Sequence, residues 1–425
     1  MTDLLRNLVN PFVWFTGPPP AEWGNAGLET FWPIVVQGTL VSLALAIVGC
    51  FLVVRGMALL GDALAHSVLP GIVIGFLIGG SMTSPWILVG ATLMGLAATV
   101  LIEAVHRQSR VKEDASLGVV FTALFALGVV MISTLARQVD LDPRCVLYGE
   151  LEYFVLRRDH IWPMAFILAV LLALLAAFYR QILVVTFDPL LARSVGVRAG
   201  VVHYGMMTAL ALTTVASFEA VGAILVVALL IMPGATARMW TDRIPAMLLV
   251  ACVHAIASTL LGYWASHPAV LDTSASAAIT TAGFAFFLLS WLFAPRHGLL
   301  HRRSVRRRLE RAVVADHVVK LIGETGAPLP AAEIARALHL EPRRMRVAMA
   351  EATRRGHVRV DAGSVRLTDL GHAAAARLAA AHELWEAYLQ KQLGLPADHV
   401  HDAAEWVEHH LDDVTLDEIR RQVVS

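Results

Sequence analysis

The spacing of apolar and polar positions divides the chain into two unlike parts. Up to about residue 297, apolar runs recur that are long enough for a helix to cross the hydrocarbon core of a bilayer. They predict spanning helices at 34–54, 58–80, 85–105, 116–136, 161–179, 200–217, 219–239, 244–264 and 274–294. The run 200–239 reads either as two spans or as one broken pair, so the count is eight or nine. After residue 310 the pattern changes to short amphipathic helices: "ERAVVADHVVKLIGETG", "PAAEIARALHL" and "EPRRMRVAMAEATRRGHV". Two strand-like runs then flank Asp-Ala-Gly in "HVRVDAGSVRLT", a hairpin signal, and "DLGHAAAARLAAAHELWEAYLQKQLG" forms a long helix. Three helices followed by a hairpin form a winged helix-turn-helix pattern. The predicted fold is an all-α polytopic membrane protein with a C-terminal winged helix-turn-helix and a further helical domain. Its predicted parts are an N-terminal segment 1–33, a transmembrane domain 34–297, a basic linker 298–309, a winged-helix domain 310–370 and a helical domain 371–425.

Composition strengthens the membrane reading. The 425 residues are 57% hydrophobic and 16% charged, with a mean hydropathy of +0.64. Soluble domains are nearer 45–50% apolar and about 25% charged. The formal net charge of zero hides an asymmetry, because charge is sparse before about residue 298 and dense after it, starting with "RHGLLHRRSVRRR". Basic residues also orient the spans. "HRQSRVK", "YRQ", "ARSVGVR" and "ARMWTDR" lie in alternate loops, whereas 81–84 and 265–273 contain no Lys or Arg. With nine spans the basic loops fall inside, the N-terminus outside and the C-terminus in the cytoplasm. Arg157 and Arg158 break this pattern, in a loop that also holds Asp140, Asp142, Glu150, Glu152 and Asp159. "FTGPPPAEWG" reads as an extended lead-in to the first span, with no cleaved signal peptide. The three cysteines, Cys50, Cys145 and Cys252, are far apart and form no CxxC pair; Cys50 and Cys252 read as packing residues.

Three stretches carry candidate chemistry. In "MALLGDALAHSVLPG", Asp62 and His66 are one helical turn apart, near or inside the membrane. Ionisable groups there are unfavourable unless paired or wetted. Carboxylate plus imidazole suits a transition metal; a pair at the water interface that only bonds backbone is the other reading. In "FDPLLARSVGV", Asp188 before Pro189 makes an N-cap, and Gly196 ends a short helix that includes Ala192. Such a capped helix between spans is a docking element for a cytoplasmic partner, or else a plain interfacial helix. In "VHDAAEWVEHHL", His401, Glu405, Glu408 and His409 share one helix face, and His382 and Glu386 form a second i, i+4 pair. These six N/O donors, with no thiolate, suit Mn, Fe, Zn or Co. Arg343, Arg344, Arg346, Arg354 and Arg355 in "EPRRMRVAMAEATRR" are enough for contacts to phosphate or DNA. No G-x-x-x-x-G-K-[ST] occurs, so the chain has no P-loop with which to hydrolyse ATP.

On "VVRGMALLGDALAHSVLPGIVIGFLIGG", "FDPLLARSVGV", "EAVGAILVVALLIMPGATARM" and "LYGELE", residues 34–295 resemble the permeases of bacterial ABC importers for manganese, zinc and iron. Residues 310–425 resemble the diphtheria-toxin-repressor and manganese-transport-regulator family, on the winged helix, "HELWEAYLQKQLGLP" and "VHDAAEWVEHHL". The first resemblance implies a metal path past Asp62 and His66 at the centre of a homo- or heterodimer of permeases. It also implies a separate cytoplasmic ABC ATPase docking on 187–197 and an extracytoplasmic metal-binding protein. The second implies a regulatory metal site from His382, Glu386, His401, Glu405, Glu408 and His409. Glu405, where iron sensors tend to carry Cys, leans towards manganese. Those sensors also use two acidic residues early in the first winged-domain helix; Asp316 matches one, and Val313 stands at the other. The expectation is a permease subunit of an ATP-driven importer in the inner membrane, with a divalent transition metal as substrate and regulatory ligand and no organic cofactor. The alternatives are a membrane-tethered, metal-responsive transcription regulator and a proton-coupled secondary transporter.

Overall fold

The computed structural model describes residues 26–80, 84–135, 161–267, 270–271, 273–361, 363–396, 400, 407, 409, 411 and 413–424. The chain divides into two compact units, Met1–Leu300 and His301–Ser425.

The first unit is helical: α1 (Ala26–Val54), α2 (Ala58–Ser67), α3 (Leu69–Gly79), α4 (Pro85–Gln108), α5 (Glu113–Leu135), α6 (Ile161–Phe187), α7 (Pro189–Ser194), α8 (Ala199–Trp240), α9 (Ile244–Ser266) and α10 (Ala275–Phe293). Among the described residues, nine stretches are long and apolar enough to cross a bilayer. They match the higher of the two predicted counts. Burial ranks them: the central windows of Trp32–Val54 and Ala220–Trp240 are each 72% buried, against 17% for Ile161–Phe187. The first pair is therefore the hub, and the outer helices present apolar side chains such as Trp162 and Phe166 outward. Helices approach closely where a side chain is missing. A β-carbon at Gly49 of α1 would collide with the Leu230 carbonyl of α8, and one at Gly71 of α3 with the Gly90 carbonyl of α4. The hydroxyls of Ser42 and Thr259 join α1 to α9 at 2.5 Å.

Two predicted spans are discontinuous. The 58–80 run breaks at Val68 into α2 and α3, because Pro70 cannot donate the hydrogen bond that the His66 carbonyl would receive in a continuous helix. Inside α8, Gly222 takes φ 75° and ψ 168°, outside the helical region. The neighbouring Val221 carbonyl is compensated by the Ser276 hydroxyl of α10, at 3.1 Å. A third difference lies in α6, which runs past the expected end at 179 to Phe187. The basic "YRQ" thus sits within the helix, which ends only at the Asp188 cap.

The second unit begins within α11 (Leu299–Thr325), followed by β1 (Leu329–Pro330), α12 (Ala331–Ala337), α13 (Pro342–Arg354), β2 (Val358–Asp361), β3 (Ser364–Leu367), α14 (Asp369–Leu393) and α15 (Asp413–Val424). The strands form an antiparallel sheet in the order β1-β3-β2, with Asp361 opposite Ser364 across the predicted hairpin turn. Gly363 supplies the positive φ, 85°, that this turn needs. Val318, Val319, Ile334, Ala348 and Val365 meet in the core of this winged helix-turn-helix. The stretch expected to be a linker, 298–309, is helical from Leu299. It lacks a breaker, and Arg306 pairs with Glu310 one turn on, at 2.9 Å. In α14, Thr368 caps the Gly371 amide at 3.1 Å and Gly394 ends the helix at φ 65°.

The close approach at Gly49 makes a test. Gly49→Leu is expected to abolish the monodisperse, detergent-soluble protein peak in size-exclusion chromatography, since the opposing atom is backbone. Gly118→Ala on α5, where a β-carbon meets nothing within 4 Å, should raise the thermal midpoint slightly, by up to about 1 kcal/mol of stability.

Candidate functional site

Within the membrane unit, α2 sets Asp62 and His66 one turn apart, with His66 Nε2 3.5 Å from Asp62 Oδ1. Two donors bound to one ion at about 2.1 Å in tetrahedral geometry lie about 3.4 Å apart, so the pair already spans one edge of such a site. The side chains stay 44% and 35% exposed, open on one side. On the other, His66 packs against Phe125 edge-on at 5.6 Å and against Phe121 at 6.3 Å, both on α5. These rings fix the imidazole while leaving its Nε2 turned to the carboxylate. The pair sits immediately before the Val68 break, where the helix is interrupted.

The short α7 is held by its cap. Asp188 accepts from the Leu190 and Leu191 amides at 3.0 and 2.9 Å, Pro189 opens the helix, Ala192 is buried and Gly196 exits at φ 82°. This leaves Leu190 75% and Leu191 51% exposed, with Phe187 and Val195 beside them. An apolar cluster on a rigid turn is suited to a protein partner.

A polar network joins residues that no single-helix spacing would group. Arg55, just after α1, bonds His203 of α8 at 3.1 Å; Tyr204 donates to Glu103 of α4 at 2.5 Å, and Glu103 also pairs with Arg107. The only sequence signal was a charge at the end of each apolar run. Asp242, in the short α8–α9 connection, accepts from His297 at 3.1 Å and Arg296 at 3.0 Å. These bonds, the one from His297 foremost, hold its carboxyl below the usual carboxylate range.

In the second unit, His382 is buried on α14. Its Nε2 lies 2.9 Å from Glu386 Oε1 and its Nδ1 3.4 Å from the Lys320 ammonium. The 2.9 Å edge is close to the roughly 3.0 Å between two ligands at right angles around one ion. The His409 ring packs against His317 at 4.6 Å, and its Nδ1 is 3.6 Å from Asp316 Oδ2. The donors near α11 thus fall into two pairs, His382 with Glu386 and His409 with Asp316. Among the described residues, no group of three or more His, Cys, Asp or Glu is gathered for an ion. His401, Glu405 and Glu408 lie outside the described residues, as does "LYGELE".

The arginines separate into two kinds. Arg343, Arg344 and Arg346 are exposed on α13. Arg343 and Arg344 line a groove of about 730 Å³ with Arg306, Arg307 and Arg311 of α11, suited to a phosphate-bearing polyanion. Arg354 is instead bonded to Glu351 at 2.7 Å, and Arg355 bridges Glu351 and Asp316 at 3.0 and 3.2 Å. Hydrogen bonds from Arg354 first, then Arg355, hold the Glu351 carboxyl below its ordinary range.

A helical membrane unit with an interrupted span bearing a carboxylate–imidazole pair defines a polytopic protein of the transport class. Residues 28–294 match the model of the ABC 3 transport family, and the chain belongs to that family. Residues 368–424 match the model of the iron dependent repressor, metal binding and dimerisation domain. The manganese transport system membrane protein MntC of Halalkalibacterium halodurans is 39% identical over 263 residues, 62% of this chain and 87% of that protein. The zinc transport system membrane protein TroD of Treponema pallidum is 35% identical over 286 residues, 65% of this chain and 77% of its own. Among solved structures, PsaBC from Streptococcus pneumoniae in complex with Fab is similar, with a TM-score of 0.58 and 29% identity. The match covers 65% of this chain and 98% of that one.

The Glu351 cluster predicts a pH dependence. A carboxyl lowered on folding stabilises above its unfolded pKa, and that contribution is lost as pH falls through the folded value. Hydrogen exchange of the full chain, corrected for intrinsic rates, should therefore show residues 342–354 losing protection as pH drops below the carboxylate range. Glu351→Gln should lower protection at neutral pH and flatten this dependence.

Proposed function

We propose that the chain is the permease subunit of an ATP-driven importer of a divalent transition metal, manganese in preference to zinc or iron, with a cytoplasmic metal-sensing tail. The observation that carries this reading is the Asp62–His66 edge on an interrupted spanning helix, in a chain of the ABC 3 transport family. Its relatives, membrane proteins of manganese and zinc transport systems, support the substrate class. An extracytoplasmic metal-binding protein delivers the ion, which passes between two permease subunits. The open side of the Asp62–His66 pair faces that passage, and the second subunit completes the coordination. Because the chain has no P-loop, a separate ATPase drives the cycle, docking on the exposed Leu190–Leu191 surface of α7. A regulator that uses its spans only as an anchor has no need of a carboxylate–imidazole pair inside them.

The donor set of the tail fits a regulatory metal: neutral imidazoles and carboxylates with no thiolate, in pairs whose separations match ligand edges. His382 and Glu386 hold it from α14, with Asp316 on α11 and His409, and with His401, Glu405 and Glu408. Bound there, the metal supplies a cross-link between these segments. The tail reads cytoplasmic metal, the product of import, and feeds back on transport. The exposed arginines of α13 are its surface for phosphate or DNA.

Alanine at Asp62 or His66 should abolish metal uptake in cells while leaving membrane insertion intact; normal uptake by the double variant would remove the pair from the path. For the tail, uptake against cytoplasmic metal load should show a metal-dependent inhibition of about five- to a hundredfold, the range of coupling energies near 1–3 kcal/mol. Ending the chain at Arg308, or replacing Glu405, Glu408 and His409 with alanine, should remove that inhibition.

A further inference from the structure

Midway along α9, His254 is buried deep in the membrane unit, 6% exposed. Its ring packs edge-on against Phe286 at 5.9 Å, and among the described residues its Nε2 has no hydrogen-bond partner. Buried polar atoms are rarely left unpaired, so each exception asks for a use. The nitrogen faces Gly283 of α10. A β-carbon at Gly283 would lie 3.6 Å from His254 Nε2, 3.5 Å from Ser258 Oγ and 3.5 Å from Met232 Sδ. Such a carbon is only about 1.5 Å from its own Cα. The glycine backbone therefore closes one side, and the three heteroatoms share the other. They come from the spans 220–240 and 244–266, next to a third, 275–293.

All three atoms offer lone pairs. The thioether has no proton, and the Ser258 hydroxyl spends its own on the His254 carbonyl at 2.7 Å. The imidazole presents Nε2 as an acceptor when its proton is on Nδ1. An acceptor-only cradle of sulfur, nitrogen and neutral oxygen suits a transition-metal cation with affinity for nitrogen and sulfur, such as zinc. It is poor for magnesium and calcium, which take carboxylate and carbonyl oxygens. The helix that carries Met232 also packs against α2, where the Leu230 side chain meets Gly61.

We propose that Met232, His254 and Ser258, gathered over the bare face of Gly283, form an intramembrane waystation that passes transition-metal ions and rejects magnesium and calcium. The role in passage rests on the transport reading above; the binding of an ion does not. Gly283→Ala is the decisive variant. Its methyl meets only ordinary van der Waals contacts and improves helix propensity, so the fold accepts it, yet it fills the space of the ion. Met232→Leu removes the sulfur with little change of volume. The full chain, purified in detergent, is saturated with zinc and freed of unbound ion by gel filtration, and bound zinc is counted by mass spectrometry. Both variants should bind one zinc fewer per chain than the parent, and Met232→Leu should show about tenfold stronger inhibition of zinc uptake by magnesium. Undiminished zinc binding by Gly283→Ala would overturn the site, leaving His254 as a dry or hydrated core histidine. Should Gly283→Ala fail to fold, the count for Met232→Leu decides. If the parent takes up no metal in cells, the transport reading fails, while the ion count still decides the waystation.

Discussion

Lipid offers the backbone no hydrogen-bond partners, so each amide and carbonyl of the membrane unit must be paired within the protein. Unbroken helices meet that demand at once, and this is why nine apolar stretches become helices almost end to end. The same constraint makes each interruption informative. At Gly222 the chain leaves the helical region, and the Ser276 hydroxyl takes up the adjacent Val221 carbonyl. At Pro70 the His66 carbonyl loses its helical donor, directly beside a carboxylate and an imidazole. At Pro233 the ring removes the donor for the Leu229 carbonyl, next to the Met232 thioether. One of the two interruptions, and the proline inside α8, therefore coincide with side chains suited to a cation. Broken helices in membranes are tolerated where they are buried or line a cavity, and there freed carbonyls and polar side chains serve ions.

Some of this was legible in the residues alone, and the division has a physical basis. Periodicity is local, so the spans, the winged helix, the Asp188 cap and the Asp361–Ser364 hairpin could be read from neighbours in sequence. So could i, i+4 pairs such as Asp62–His66 and His382–Glu386, because one helix turn fixes their separation. Span ends were harder: α6 runs on to Phe187 because nothing stops it before the Asp188 cap, and Arg180 and Gln181 are good helix formers. The 298–309 stretch read as a linker for its charge, yet arginine and leucine favour helix, and no glycine or proline interrupts them. Groups assembled from separate helices left no signal of which residues would meet. Arg55 with His203, Glu103 with Tyr204, and the cradle over Gly283 each depend on which faces meet, and that is decided by close packing at residues such as Gly49 and Gly71.

The tail repeats the chemistry of the membrane pair in a wetter setting. His382–Glu386 and Asp62–His66 are both imidazole–carboxylate pairs one turn apart, at 2.9 and 3.5 Å. They differ in what surrounds them. Two phenylalanines confine His66, whereas the Lys320 ammonium sits 3.4 Å from His382 Nδ1. A fixed cation at that distance opposes a second one, so a metal at His382 competes with Lys320 electrostatically. The opposition lowers affinity without removing the donors. For the product sensor proposed above this is the useful direction, because it would respond only once the ion is plentiful.

The same comparison orders the membrane groups. Asp62 brings a negative charge to its pair, so an arriving dication is partly neutralised there. The cradle over Gly283 brings none: its sulfur, nitrogen and hydroxyl oxygen stabilise a cation only through lone pairs. On the proposed path, an ion leaving the first group for the second would give up a full charge–charge attraction and keep only dipoles, so the second would hold it more weakly. Passage through a membrane needs this combination, binding strong enough to draw the ion out of water and weak enough to release it. A second carboxylate in the core would trap the ion, and a purely apolar core would exclude it. A neutral soft cradle lies between those limits, and it also separates transition metals from calcium and magnesium, whose preference for charged oxygen it does not satisfy.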